Sequence, residues 1–312
     1  MSNLIRLERA CLYGHILSMA FGLAGLLWIL PHPELIASLP DVGKVAFRWS
    51  MMGGGVVYMV LGIAAVAIYA YRTLGLWHWL GFMIPAIALS LGSELLGTST
   101  GFPFGHYRYL SGLGYKIAGL VPFTIPLSWF YLGFSAYLIV RVGLSKRSQS
   151  PLVIVIGAIV LGSVLLTSWD FVLDPAMSQT AVPFWVWEQP GAFFGMPYEN
   201  FAGWFGTGVV FMSVASLIWR LKPLNTENIS LNLPLTIYLS NFAFATVMSL
   251  GAQIYPPIGL GLLLGVIPAV IFYQWGQPSE EGVLLPQSDR PLLEAIPSPI
   301  SPVGALPKGS SR

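Results

Sequence analysis

The sequence predicts an all-α, polytopic integral membrane bundle of about eight transmembrane helices, on three observations. Only 9% of the 312 residues are charged while 55% are hydrophobic, a ratio that leaves too little polar surface to solvate a water-soluble domain. Mean hydropathy is +0.72. The apolar residues also come in separate runs of roughly 18 to 25, the length that crosses a bilayer, so the expected surroundings are lipid.

Taken in order between charged or Pro/Gly punctuation, the runs place helices near 11–30, 49–71, 76–97, 117–140, 152–174, 201–219, 233–252 and 257–275. The first, from Cys11 to Leu30, is longer than the apolar region of a signal peptide and lacks a small-x-small cleavage site before Pro31, so it reads as a retained helix. Cys11 is the only cysteine and reads as a small apolar residue, with no intramolecular disulfide and no thiolate metal cage to be built on it. Residues 1–276 form the expected membrane domain. From 277 to 312 the composition turns polar and Pro-rich, with Pro278, Pro286 and Pro291 among the interruptions, and this stretch is expected to be a disordered cytoplasmic tail.

Eight spans put both termini on one side with Arg6, Arg9, Arg72, Arg141, Lys146, Arg147, Arg220 and Lys222, against Lys44, Arg48, Arg108 and Lys116 on the other. The positive-inside rule then places both termini in the cytoplasm. The acidic residues Glu34, Asp41, Glu94, Asp170, Asp174, Glu188 and Glu199 fall at or beyond the opposite helix ends, so segments distant in sequence deliver carboxyl groups to one membrane face. A net charge of +2 with no basic block among aromatics argues against nucleic acid as a partner.

Three stretches on that face carry candidate chemistry. In the fifth helix, Ser163, Thr167, Asp170 and Asp174 recur on one helical face, and an ionisable group at membrane depth is expected to turn into the bundle; alternatively Asp174, followed by Pro175, only marks the helix end. Glu94 stands in an apolar helix with Ser90 one turn back and with Gly92 and Gly97 to allow close approach. A lone carboxyl in such surroundings needs a partner and reads either as a proton donor or as an interhelical hydrogen bond. After it, Gly101-Phe-Pro-Phe-Gly105-His106-Tyr107-Arg108-Tyr109 reads as a folded cap. His106 and Arg108 are candidate acid/base and anion clamp there, or else interfacial anchors together with Tyr107. The third stretch, Trp185-Val-Trp187-Glu188 and then Gly195 to Trp204, contains Asn200, which would orient water or cap the next helix. Ser249, Gln253 and Tyr255 reach the same face as secondary candidates, while Gly53-Gly54-Gly55 and the pair Gly261 and Gly265 read as helix-packing positions.

The chain has four histidines, His15, His32, His78 and His106, in no cluster. It also lacks a Gly-rich dinucleotide turn, a phosphate-cradling loop and an Asp-rich diphosphate-metal motif. No cofactor and no metal are therefore expected. A water-poor, aromatic-walled cleft with an acid, a second carboxyl and an amide suits the addition of water across a trisubstituted alkene. Glu94 or Asp170 would be the donor, Asp170 or Asp174 the base, and Trp169, Trp185, Trp187 and Trp204 the aromatic walls that stabilise a tertiary cation.

The runs Glu94 to Tyr109, Val121-Pro-Phe-Thr-Ile-Pro-Leu-Ser-Trp129, Trp169-Asp-Phe-Val-Leu-Asp-Pro-Ala-Met177 and Gly195-Met-Pro-Tyr-Glu-Asn-Phe-Ala-Gly-Trp204 resemble the CruF-type carotenoid hydratases, with a less distinct likeness from about residue 10 to 275. The resemblance implies a carotenoid substrate in a lipid bilayer, hydrated at the terminal double bond of an acyclic ψ end to a tertiary 1'-alcohol. In the bacterial branch it implies monocyclic γ-carotene in a myxol-type pathway, in a cyanobacterial cell or thylakoid membrane; in archaeal relatives it implies C50 carotenoids of the bacterioruberin type. Glu94, Asp170, Asp174 and Asn200 fall within the matching motifs as candidate catalytic residues, and Trp129 joins the aromatic set. Two other readings stand beside it: a transporter or channel built on intramembrane carboxyls, and a carotenoid cyclase that shares the protonation step but closes a ring. Oligomeric state is not legible in the sequence.

Overall fold

A computed structural model describes residues 2–180 and 182–277. The chain folds as an all-α membrane bundle, as the sequence predicts. Helix α1 (Ser2–Ala24) runs into a π-helical turn (Gly25–Ile29), and a short α2 (Pro33–Ser38) precedes the 60-residue α3 (Asp41–Thr100). Then come α4 (Thr124–Ser145), α5 (Pro151–Met177), α6 (Tyr198–Arg220), α7 (Asn232–Gly251) and a last span built from α8 (Pro256–Gly261), a second π turn (Leu262–Val266) and α9 (Ile267–Gly276). The Pro-rich tail expected from residue 277 lies, from Pro278 onward, outside the described residues.

Among the described residues, seven helices are long and apolar enough to cross a membrane, and one of them is two spans. Helix α3 holds helical geometry except at Gly75, whose φ of 81° and ψ of 170° are open only to a residue without Cβ. The chain reverses there, because Tyr58 and Met59 before the break and Glu94 after it line the same cavity. The two arms are the predicted second and third helices, joined at one residue rather than by a loop.

Helix α4 is the axis of the bundle. Its residues from Ser128 to Val140 are all buried, packed by α3, α5, α7 and α9, and Trp129, Tyr131, Phe134 and Tyr137 fill the centre. Close contacts around it depend on missing side chains: a Cβ at Gly261 would meet Val172 and Phe242, and one at Gly265 would meet Ser168 and Tyr238. These two are the packing positions the sequence suggests.

The predicted start of the fourth helix at residue 117 is corrected. Residues 117–123 do not begin a helix; β2 (Lys116–Ile117) and β3 (Val121–Pro122) form a small antiparallel hairpin. Positive φ at Ala118 (52°) and Gly119 (73°) turns the chain between them, so α4 starts at Thr124. Apolar composition alone does not separate such a hairpin from a first helical turn.

Both long loops at this end are organised by pairing with each other. Strand β1 (Tyr107–Tyr109) runs antiparallel to β4 (Trp185–Trp187), with Tyr107 opposite Trp187 and Tyr109 opposite Trp185. The ladder extends through Leu110 N–H to the Phe184 carbonyl (2.8 Å) and Glu188 N–H to the His106 carbonyl (2.8 Å). The expected folded cap is therefore a two-stranded sheet.

Candidate active site

Four helices and the two-stranded cap converge on one cavity, α4 contributing Ile125 and Ser128. The second arm of α3 brings Glu94, α5 brings Trp169, Leu173, Asp174 and Met177, and α6 brings Asn200 and Trp204. Strands β1 and β4 close it with Tyr107, Tyr109, Trp185 and Trp187. The volume is about 40 Å³, room for water between the side chains.

Glu94 has the partners that a buried carboxyl requires. It is buried and accepts from the hydroxyls of Tyr107 and Tyr109, the latter at 2.9 Å, on Oε2. Its other oxygen accepts from Trp129 Nε1 at 3.0 Å. Strand geometry supplies both phenols: successive side chains alternate faces, so Tyr107 and Tyr109 turn inward and Arg108 turns out. Burial first and the adjacent Glu94 second hold both phenols well above the ordinary phenol range, so they stay protonated and donate. Ser90 is not a partner of Glu94; its hydroxyl donates to the Ile87 carbonyl at 3.3 Å. Of the two nearby glycines, Gly97 makes room for Phe104 and Tyr107, whereas Gly92 has nothing within 4 Å of where a Cβ would stand.

The second group is a carboxyl pair on one helix. Ser163, Thr167, Asp170 and Asp174 are all buried on the inward stripe of α5, and Asp174 is not a helix terminus, since α5 continues through Pro175 to Met177. Asn200 Nδ2 donates to Asp170 Oδ2 at 2.8 Å and to Asp174 Oδ2 at 3.0 Å, with Met196 Sδ at 2.9 Å. Asn200 thus ties the two aspartates together. It does not cap α6, where Pro197 holds the cap position without a side-chain bond. Asp174 lines the cavity and Asp170 stands behind it. Asp170 Oδ1 is buried with no hydrogen-bond partner.

Indoles wall the cavity from α5, α6 and β4. Trp129 stacks on Trp204 with ring centroids 4.0 Å apart and planes at 18°, and Trp169 meets Trp204 edge-on at 5.8 Å. Trp169 Nε1 is fixed by the Asn241 carbonyl at 3.1 Å. Tyr107 packs against Trp187 at 5.4 Å and Tyr109 against Trp185 at 6.2 Å. Trp129 sits behind Glu94 and holds it, so it acts on the carboxyl and not as a cavity face.

His106 and Arg108 do not join the site. Both are exposed; Arg108 pairs on the surface with Glu188 at 2.9 Å, and the His106 backbone N–H donates to Gln189 Oε1 at 2.9 Å. Strand alternation separates Arg108 from the two tyrosines, and His106 stands one residue before the strand. Of the other acidic residues expected on this face, Glu34, Asp41, Glu188 and Glu199 are exposed. Among the secondary candidates, Ser249 is bonded to the Val172 carbonyl (2.5 Å), while Gln253 and Tyr255 are exposed. Tyr109, which holds Glu94, and Ser128, Leu113 and Met177 of the lining carry no sequence signal beyond their place in an aromatic or apolar run. Among the described residues, no three His, Cys, Asp or Glu side chains are grouped to hold a metal ion.

No solved structure matches this chain. Among curated proteins it is similar to the bisanhydrobacterioruberin hydratase of Haloarcula japonica, 33% identical over 195 residues, 62% of this chain and 61% of that one. The chain thus spans about three fifths of the length of that relative. A family model described as carotenoid biosynthesis protein matches residues 54–268, a stretch that contains Glu94, Tyr107, Trp129, Asp170, Asp174 and Asn200 together with the helices that position them, and the chain belongs to that family.

Proposed function

We propose that this protein is a carotenoid hydratase that adds water across the terminal trisubstituted double bond of an acyclic ψ end, giving a tertiary 1'-alcohol. The observation that carries the reading is that Asp174, Glu94 and Asn200 line one aromatic-walled cavity. Support also comes from the relative, a hydratase by name. The sequence resemblance favours γ-carotene as substrate, as in a myxol-type pathway.

From their hydrogen-bond partners we propose different roles for the carboxyl groups. Asp174, backed by Asp170 and Asn200, is the proton donor: its proton goes to the less substituted alkene carbon, the π electrons form the new C–H bond, and a tertiary cation remains. The faces of Trp169 and Trp204 stabilise that cation. Glu94, which accepts from three donors, takes the proton of an attacking water as the C–O bond forms. One proton has left Asp174 and one has reached Glu94, so its return across the cavity resets the site, and the balance is alkene plus water to alcohol. The residues in place supply both acid and base, and we propose that no cofactor takes part.

Cyclisation shares the first proton transfer, and product mass distinguishes it. Expression in a γ-carotene-producing host should give a product heavier by one water; an isomer of unchanged mass would indicate a cyclase, and unchanged carotenoid would reject both. The transport reading has less support, because Glu94, Asp170 and Asp174 gather at one end of the bundle instead of marking a path through it. For topology we propose both termini on the cytoplasmic side, from the basic residues at the end opposite the site. A reporter fused at either terminus and active outside the cytoplasm would overturn that.

A further inference from the structure

A second cavity adjoins the first and has the form of a channel to the lipid. It measures about 60 Å³ and lies between α1 and the first arm of α3. Tyr58, Leu113 and Met177 line both cavities, so the two adjoin at these three side chains. Tyr58 is stacked on Phe244 at 5.9 Å, but Met177 is an unbranched side chain with low barriers to rearrangement. At the other end Phe47, Ser50, Met51 and Gly54 are half-exposed, and the neighbouring Phe21, Trp28, Trp49 and Met52 are each more than 60% exposed. In a membrane such a rim faces acyl chains.

The glycines of this channel are not explained by helix packing. A Cβ at Gly22 or Gly25 would meet nothing within 4 Å, and one at Gly54 only Ser50 Oγ at 3.6 Å. Of the Gly53-Gly54-Gly55 run, only Gly55 sits under a neighbour, the Gly112 carbonyl of the cap. Each glycine inside a helix costs about 1 kcal/mol against alanine, yet Gly22, Gly25 and Gly54 use that cost to leave space in a cavity wall. The π-helical turn Gly25–Ile29 begins at the same place, an irregularity concentrated at functional positions.

We infer that this channel is the binding subsite for the polyene chain of the substrate, entered sideways from the bilayer, with Gly22, Gly25 and Gly54 setting its bore. The inference rests on the hydratase reading for the identity of the ligand. A linear conjugated chain passes between α1 and α3, displaces Met177, and delivers only its terminal isopropylidene group to Asp174 and Glu94.

The test uses lycopene as the probe, with wild-type protein, Gly22→Leu, Gly54→Leu and the control Gly92→Leu, all full-length and purified in detergent from lycopene-producing cells. Gly92 is also a helical glycine with open space around it but lies on an exposed face away from both cavities. Polyene retained per protein, read by visible absorbance, should fall at least tenfold in Gly22→Leu and Gly54→Leu and stay at the wild-type level in Gly92→Leu. Equal retention in all four, or none by the wild type, would overturn the channel. Should the leucine variants fail to fold, Gly22→Ala and Gly54→Ala should show a several-fold loss, and wild-type retention in both would overturn it equally. Product analysis of the same samples separates the two claims. Retained polyene without any hydrated product in wild type, from γ-carotene-producing as well as lycopene-producing cells, rejects the hydratase and leaves the channel, whereas wild-type hydration rates in Gly22→Leu and Gly54→Leu reject the channel and leave the hydratase.

Discussion

Each end of the bundle buries charged groups, and the two ends compensate them by opposite means. At the end holding the Gly75 reversal, buried Glu8 receives two hydrogen bonds from Arg72, at 2.9 and 3.1 Å. Nearby, Arg141 donates to Tyr137 Oη at 2.8 Å and lies 5.7 Å from the centroids of the Tyr137 and Trp219 rings. At the site end, Glu94 is held by two phenols and an indole, and Asp170 and Asp174 by one amide. Among the described residues no Lys or Arg forms a salt bridge with any of the three. A carboxylate locked to a guanidinium leaves an uncompensated buried cation if it takes up a proton. A carboxyl group held by neutral donors gains or loses one without that penalty. The first arrangement fixes helices together, and the second suits proton transfer.

Substitutions that keep side-chain volume separate the two roles. The largest effect is expected for Asp174→Asn, which removes the proposed acid: hydration should fall about 10²- to 10⁴-fold, with protein yield and melting temperature near wild type, measured by product formation in membranes and by thermal unfolding in detergent. Glu94→Gln should lower turnover by about 10²-fold or more and should also lose about 1–3 kcal/mol of stability, because its new NH2 group faces a phenol or the Trp129 N–H. Glu8→Gln should do the reverse. It weakens the hold on Arg72, costs about 1–3 kcal/mol, and leaves turnover per folded molecule unchanged; a loss of turnover as large as that of Asp174→Asn would end the distinction between the two ends. Tyr109→Phe removes one donor from Glu94 and should slow hydration about tenfold, the worth of about 1.4 kcal/mol in a transition state. Arg108→Ala, at an exposed ion pair, should change stability by less than about 1 kcal/mol and activity not at all.

The bundle was legible in the sequence because length and apolarity alone specify a membrane helix. Helix starts were less legible: α1 begins at Ser2 and α3 at Asp41, ahead of their apolar runs, and α4 begins only at Thr124 because Val121, Pro122 and Phe123 are apolar in a hairpin as they are in a helix. The inward stripe of α5 was legible because Ser163, Thr167, Asp170 and Asp174 are polar residues in an otherwise apolar run. The cap was readable in part. Tyr107-Arg108-Tyr109 and Trp185-Val186-Trp187 each carry a period-two alternation, but three residues between glycines and prolines are too few to reveal pairing across 78 positions of chain. That pairing decides which side chains face inward, so Arg108 was grouped with Tyr107 although the strand sends it to the surface. The role of Asn200 was likewise hidden, because nothing local to α6 indicates that its amide bridges two carboxyl groups on α5. The Gly53-Gly54-Gly55 run of α3 reads as packing positions, since a missing side chain looks the same in sequence whether a neighbour or a ligand occupies the space.

The proposal that Asp174 gives a proton and Glu94 activates water is tested most directly by isotope incorporation. Purified protein supplied with γ-carotene in heavy water enriched in ¹⁸O should form an alcohol carrying one solvent oxygen and one carbon-bound deuterium per molecule, and Asp174→Asn should form neither. Oxygen drawn from dioxygen, or an alcohol without carbon-bound deuterium, would contradict it.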